Sequence, residues 1–211
     1  MRHAEVSYVG QRDPETVRLT ARGLEQAAAA RSALEDVWFD LVVTSTLPRT
    51  LETATIVAPE SEIEQLHAFD EWRGGRLDDV PREDLEQLFV GALAIDDESQ
   101  RFLGGESLGE ALDRVLPAFE ELVAGEWETA LAVFHGGINR ILVSHALAGG
   151  RRYFGNFEQA PACINVLDLG GDDTWIVRTV NYIPYDPLHP ARTTTMEHLW
   201  GELVAWFDEQ A

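Results

Sequence analysis

The chain has 211 residues, 45% of them hydrophobic, and 37 acidic residues against 16 basic ones give a formal net charge of −21. That length suits one globular domain, expected over residues 1–211, with enough apolar content for a sizeable core. The acidity argues against nucleic acid, which needs a basic stripe, and against an anionic membrane surface.

A small anionic substrate stays compatible with this charge, because exposed charges are screened over about 8 Å at physiological salt and a local arginine cluster can outweigh the distant field. All 16 basic residues are arginine. Cys163 stands alone, so no internal disulfide is expected, and a reducing compartment follows. No apolar run approaches the roughly 18 residues of a membrane span, and the N-terminus lacks an apolar signal region. The expected location is cytoplasmic.

In chain order, "LTARGLEQAAAARSALEDV" predicts a helix with Thr20 as N-cap and an alanine-rich body. Leu41 to Val43 reads as a short buried strand. Thr44 to Thr46 then offers cap residues for a helix to about Val57, with Pro48 in its first turn. From about Leu66 to Gly105 the pattern is less periodic, with an acidic stretch around Asp96 to Glu98, and predicts short helices and loops. Ser107 with Glu110 forms a capping box. Leu108, Leu112, Val115, Phe119 and Leu122 follow at helical spacing, Pro117 should kink that helix, and Gly125 ends it.

Ala130 to Phe134 is an apolar strand, His135-Gly136-Gly137 a turn, and Ile138 to Leu147 a helix. "CINVLDLGGDDTWIVRTV" predicts two strands joined by Gly170, Gly171, Asp172 and Asp173, a hairpin. Thr194 and Glu197 form a second capping box. Met196, Leu199, Trp200, Leu203, Val204 and Phe207 then make an apolar helical stripe. Strands alternating with helices predict an α/β fold, a three-layer α/β/α sandwich with a mostly parallel central sheet and a helical insertion at about 70–125.

Three strand-to-helix junctions carry reactive or cationic side chains: Arg2 with His3, Arg49, and His135. In open α/β sheets, ligands collect at the carboxyl ends of the strands, so all four can meet in one pocket. Two guanidiniums present forked donors to phosphate oxygens. Helix N-termini add N–H groups and a favourable dipole, and Gly136 and Gly137 allow close backbone approach. Imidazoles among guanidiniums make a poor metal site. They suit a phosphoryl group, with one imidazole free to act as nucleophile.

"RHAE", "TSTLPRTLETA" and "FHGG", in that order and flanked by "LTARGLEQA" and "GGES", resemble the histidine phosphatase superfamily, the phosphoglycerate mutase-like fold, in its phosphatase branch. The resemblance spans roughly residues 2 to 150. It implies that His3 attacks phosphorus and becomes a phosphohistidine. Arg2, Arg49, His135 and Gly136 would hold the phosphoryl group. Glu71, in "FDEWRGG", stands where the family has its acid, with Asp70 beside it as the alternative. No metal and no cofactor are implied.

The chain departs from the family pattern in several places. Only Met1 precedes the Arg-His pair where the family has an apolar strand, so either the given start lies too late or that strand is cut short. Ala4 replaces a glycine. Val9 stands near the place of a phosphate-contacting asparagine, for which Ser7, Tyr8 or Gln11 could compensate. Taken singly, each motif has an ordinary structural reading: a frayed terminus, a surface arginine, a core histidine, a solvated acid. His67, His145, His189 and His198 are read as structural or surface, Arg140, Arg151 and Arg152 as a solvated face, and Trp72 as a pocket wall.

The function expected is hydrolysis of a small anionic phosphoester through a phosphohistidine. A mutase-type phosphotransferase and a catalytically impaired phospholigand-binding protein are the alternatives. A homodimer is compatible with the sequence.

Overall fold

The computed structural model describes residues 1–10, 13–75, 80–91, 97–171, 174–188 and 193–209. Gln11, Asp96, the Asp172-Asp173 pair and His189 lie outside them. β1 (Leu41–Thr44) is the centre of a parallel sheet, flanked by β2 (Ile63–Gln65) and β3 (Ala130–Val133) in the order β2-β1-β3. Val42 registers with Ile63 on one side and Leu131 on the other. Side chains alternate across a strand, so Val42 enters one apolar cluster and its neighbour Val43 the other.

The first cluster packs α1 (Ala21–Ala33) and α2 (Pro48–Val57) on one face, through Ala27, Ala30, Ala54 and Val57. The second packs α4 (Leu108–Val123) and α5 (Gly136–Ala148) on the other, through Leu112, Val115, Phe119, Ile138 and Ile141. The three layers predicted from strand-helix alternation are therefore present. α3 (Arg82–Val90) precedes α4, and β4 (Ile164–Leu169) and β5 (Trp175–Tyr182) form the expected antiparallel hairpin. α6 (Thr195–Glu209) follows the Thr194/Glu197 capping box and packs its aromatic stripe on α3, with Trp200 6.1 Å from Phe89.

Local chemistry explains most boundaries. Thr20 caps α1 by accepting from Gly23 N at 3.0 Å. Ser107 and Glu110 cap α4 reciprocally, and α4 runs through Pro117 as one helix. The N-cap of α2 is Leu47, whose side chain cannot cap, with Pro48 as the first helical residue. Thr44 to Thr46, expected as caps, serve other partners. β2 was not legible in the sequence, because three residues with one apolar side chain carry no period.

The strand expected to be cut short at the chain's start is short, a single parallel bridge of Arg2 with Phe134, yet it is paired. Met1 N donates to Ala132 O at 2.5 Å, Phe134 N to Met1 O at 2.9 Å, and His3 N to Phe134 O at 2.9 Å. On the other edge Arg2 N donates to Cys163 O and Ala162 N to His3 O. Residues 1–3 are thus paired on both edges, between the end of β3 and the entry to β4. Next in the chain, Ala4 N donates to Thr53 Oγ1, Glu5 N to Gln26 Oε1, and Thr20 N to Glu5 O.

Gly23 lies against that segment: a Cβ there would sit 2.2 Å from Glu5 O. Helix propensity alone favours alanine by about 1 kcal/mol, but the backbone clash outweighs it. Gly23→Ala is expected to destabilise the fold by about 1–3 kcal/mol in urea titration. Gly91→Ala, which meets nothing within 4 Å, should leave the midpoint close to that of the unsubstituted chain.

Candidate active site

His3 leaves the paired N-terminal segment, Arg49 sits in the first turn of α2, and His135 is the N-cap of α5. All three stand at the carboxyl ends of parallel strands, and the sheet brings them together. The two imidazole centroids are 5.2 Å apart, at 64° to each other. Arg2, His3, Arg49 and His135 are all buried, His135 completely.

Each guanidinium donates to a backbone carbonyl rather than to a carboxylate: Arg2 Nη1 to Gln159 O at 2.6 Å, and Arg49 Nη1 to Pro14 O at 3.1 Å. The Nε of Arg2, the Nε of Arg49 and the Nδ1 of His135 are buried with no partner among the described residues. Buried polar atoms are normally satisfied. Three unsatisfied nitrogens on neighbouring site residues are therefore open to a ligand acceptor. α5 adds the N-terminal end of its dipole.

His3 Nδ1 is 2.7 Å from Ala4 O. A carbonyl only accepts, so Nδ1 carries the proton and Nε2 keeps its lone pair. Burial, then the charges of Arg49 and Arg2, hold His3 well below the usual histidine range. Burial, Arg49, His3, Arg2 and Arg114 do the same to His135. Both rings are neutral at physiological pH. His135 Nε2 is fixed by Ser45 Oγ at 2.8 Å, which in turn contacts Thr50 Oγ1 at 2.9 Å. Ser45 is a site-supporting residue that sequence reasoning took for a cap. The missed signal was its place at the end of a buried strand, level with the His135 junction.

The two candidate acids separate cleanly. Asp70 is buried and engaged: it accepts from Thr46 N at 2.9 Å and Thr46 Oγ1 at 2.8 Å, and pairs with His67 Nδ1 at 2.6 Å. Glu71 instead turns to the first turn of α5, where Gly137 N donates to its Oε1 at 3.2 Å. A Cβ on Gly137 would lie 2.7 Å from that oxygen, so the glycine gives Glu71 its place. Arg114 of α4 holds the segment before it, donating to Ala68 O and Asp70 O and pairing with Glu106. Trp72, expected as a pocket wall, is tied by its Nε1 to Glu106 O at 2.7 Å.

Three further expectations resolve here. Arg140, expected on a solvated face, is buried: its Nη1 donates to Gly136 O and its Nε to Phe157 O, beside the first turn of α5. Arg151 is exposed and paired with Glu98 and Asp113. Among the residues considered for the missing asparagine, Tyr8 places its ring 6.0 Å from the Arg49 guanidinium, while Ser7 Oγ accepts from Val9 N. Among the described residues, no group of three or more His, Cys, Asp or Glu is arranged to hold a metal ion. None of the described helices is long and apolar enough to cross a membrane.

The model of the histidine phosphatase superfamily, branch 1, matches residues 1–182. A 2,3-bisphosphoglycerate-dependent phosphoglycerate mutase of Parvibaculum lavamentivorans is 33% identical over 152 residues, covering 64% of this chain and 70% of that protein. A protein of Arabidopsis thaliana named "Probable 2-carboxy-D-arabinitol-1-phosphatase" is 27% identical over 184 residues, covering 81% of this chain; the chain spans only 37% of that relative's length. Among solved structures, the alpha-ribazole phosphatase of Shigella flexneri superposes with a TM-score of 0.66 at 25% identity, covering 86% of this chain and 94% of that one.

The neutral, buried histidines have a consequence for stability. Their folded-state values lie below 6.5, the unfolded value, so below about pH 6.5 the unfolded chain binds more protons. Stability present above that pH is then lost as pH falls, by about 1.4 kcal/mol per pH unit for each histidine. Urea midpoints measured between about pH 7 and pH 5 should show this slope, and His3→Gln should reduce it.

Proposed function

The chain belongs to the histidine phosphatase superfamily, and from that premise we propose that it is a phosphomonoester hydrolase that works through a phosphohistidine on His3. The observation that carries this reading is the ring of unpartnered buried nitrogens on Arg2, Arg49 and His135 around a neutral imidazole. A phosphoryl group supplies the acceptor oxygens that those nitrogens lack.

In the first step the Nε2 lone pair of His3 attacks phosphorus and the bond to the ester oxygen breaks. Nδ1–H stays on Ala4 O, which disperses the charge the ring acquires. Arg2, Arg49, His135 and the first turn of α5 stabilise the equatorial oxygens as charge develops. Glu71 gives its proton to the departing oxygen. In the second step Glu71 takes a proton from water, the hydroxide oxygen attacks phosphorus, and the P–N bond breaks to return neutral His3 and inorganic phosphate.

The relatives include both phosphatases and mutases, which share the first step and differ in the acceptor of the second. A single experiment separates them. Mixing with 4-nitrophenyl phosphate should give a burst of nitrophenol, a trapped phosphoenzyme labelled on His3, and steady release of phosphate to water. Passage of the label to a phosphoglycerate acceptor instead of water would make the protein a mutase. Phosphate binding with no turnover would make it a non-catalytic binder.

His3→Ala should leave less than about one part in 10³ of the activity. Glu71→Gln should lower kcat about 10²- to 10⁴-fold with an ester of poor leaving group. Asp70→Asn should retain turnover and instead lower stability by about 1–3 kcal/mol, through its loss of charge against Thr46 and His67.

A further inference from the structure

On the acid side of the phosphoryl position the structure holds a second set of polar atoms that the reaction does not use. Arg140 defines its extent. Its side chain runs from Gly136 O, at 3.1 Å, to Phe157 O, at 3.0 Å, so it spans from the phosphate-binding turn to the segment that carries Glu158. Its charge interacts with Tyr153, Glu158, Arg2 and Glu71. The next residue, Gln159, gives Arg2 its carbonyl partner.

Glu158 has one oxygen fixed and one free: Oε1 accepts from Thr195 Oγ1 at 2.7 Å, while Oε2 is buried with no partner among the described residues. Tyr153 packs edge-on to Trp72, with centroids 6.2 Å apart, and its hydroxyl lies in the field of Arg140 and Glu71. Burial pushes that hydroxyl up to about 12, so it is a donor at neutral pH. Trp72 directs its N–H away to Glu106 O and lies against the Gly137 turn, where a glycine Cβ would come within 3.6 Å of its Cε3. An apolar ring, a buried carboxylate oxygen and a phenol thus gather around Arg140 and Glu71.

We propose that Trp72, Tyr153 and Glu158 form the leaving-group subsite and select a neutral leaving group rich in hydroxyls, a sugar or polyol. This rests on the phosphohydrolase reading above. A carboxylate with an empty lone pair position binds hydroxyl donors, Tyr153 both gives and accepts, and the indole offers a flat surface for the C–H face of a sugar ring. The same atoms oppose a carboxylate-bearing leaving group. Glu158 repels it, and Arg140 already donates to two backbone carbonyls. Thr195, which orients Glu158, opens α6.

The test compares kcat/KM for ribose 5-phosphate, 3-phosphoglycerate and 4-nitrophenyl phosphate in the unsubstituted enzyme, Glu158→Gln and Tyr153→Phe, each checked for an unchanged melting transition. The unsubstituted enzyme is expected to prefer ribose 5-phosphate to 3-phosphoglycerate by about tenfold or more. Each variant is expected to lower the ratio of ribose 5-phosphate to 4-nitrophenyl phosphate efficiency by about tenfold, chiefly through KM. A ratio that does not move, an equal loss on both esters, or a preference for 3-phosphoglycerate would overturn the subsite while a phosphoenzyme on His3 still forms. Absence of any phosphoenzyme would overturn the hydrolase reading and the subsite with it.

Discussion

The structure depends on a short backbone ladder. Three hydrogen bonds join Met1 and His3 to Ala132 and Phe134, and two more join Arg2 and His3 to residues 162–163. Strand pairing fixes both the height and the facing of each side chain, because a slip of one residue sends every side chain to the opposite face. Here Met1 enters the apolar cluster against α1 and α2, Arg2 reaches Gln159, and His3 stands beside His135. Ala4 and Glu5 then lock the segment to α1 and α2 through Gln26, Thr20 and Thr53. A residue near a chain start thereby becomes as immobile as a core residue.

Burial of this site is costly in isolation. Two guanidiniums with only carbonyl partners, desolvated beside two imidazoles, carry a penalty of several kcal/mol per ion. The fold limits it by keeping both imidazoles neutral. In the proposed reaction an arriving phosphoryl group offsets that cost. The overall charge of −21 does not oppose this, because the cluster lies inside the chain's own screening distance and distant surface carboxylates act weakly across salt water.

Division of labour between neighbouring carboxyl groups follows the same logic. Asp70 and Glu71 differ by one position, yet the loop geometry gives Asp70 to Thr46 and His67 and turns Glu71 to the α5 N-terminus. Arg114 sets this by gripping the carbonyls of Ala68 and Asp70 from α4. The floor of the candidate site is thus built by the sheet, and its Glu71 side is held by a helix packed on the sheet's far layer.

The sequence by itself determined the layered fold and the junctions that carry the chemistry. Helical spacing in α4, the Thr20, Ser107 and Thr194 caps, and the apolar runs of β1 and β3 are local signals, readable without any partner. Only tertiary structure decided the rest. It paired residues 1–3 with the end of β3, gave Asp70 and Glu71 different partners, put Ser45 on His135, and buried Arg140 against Gly136 and Phe157. Each of these is a contact between residues far apart in the chain or a choice between equivalent neighbours. Residue type and spacing are silent on both, because hydrogen-bond partners and burial are set by which layers meet.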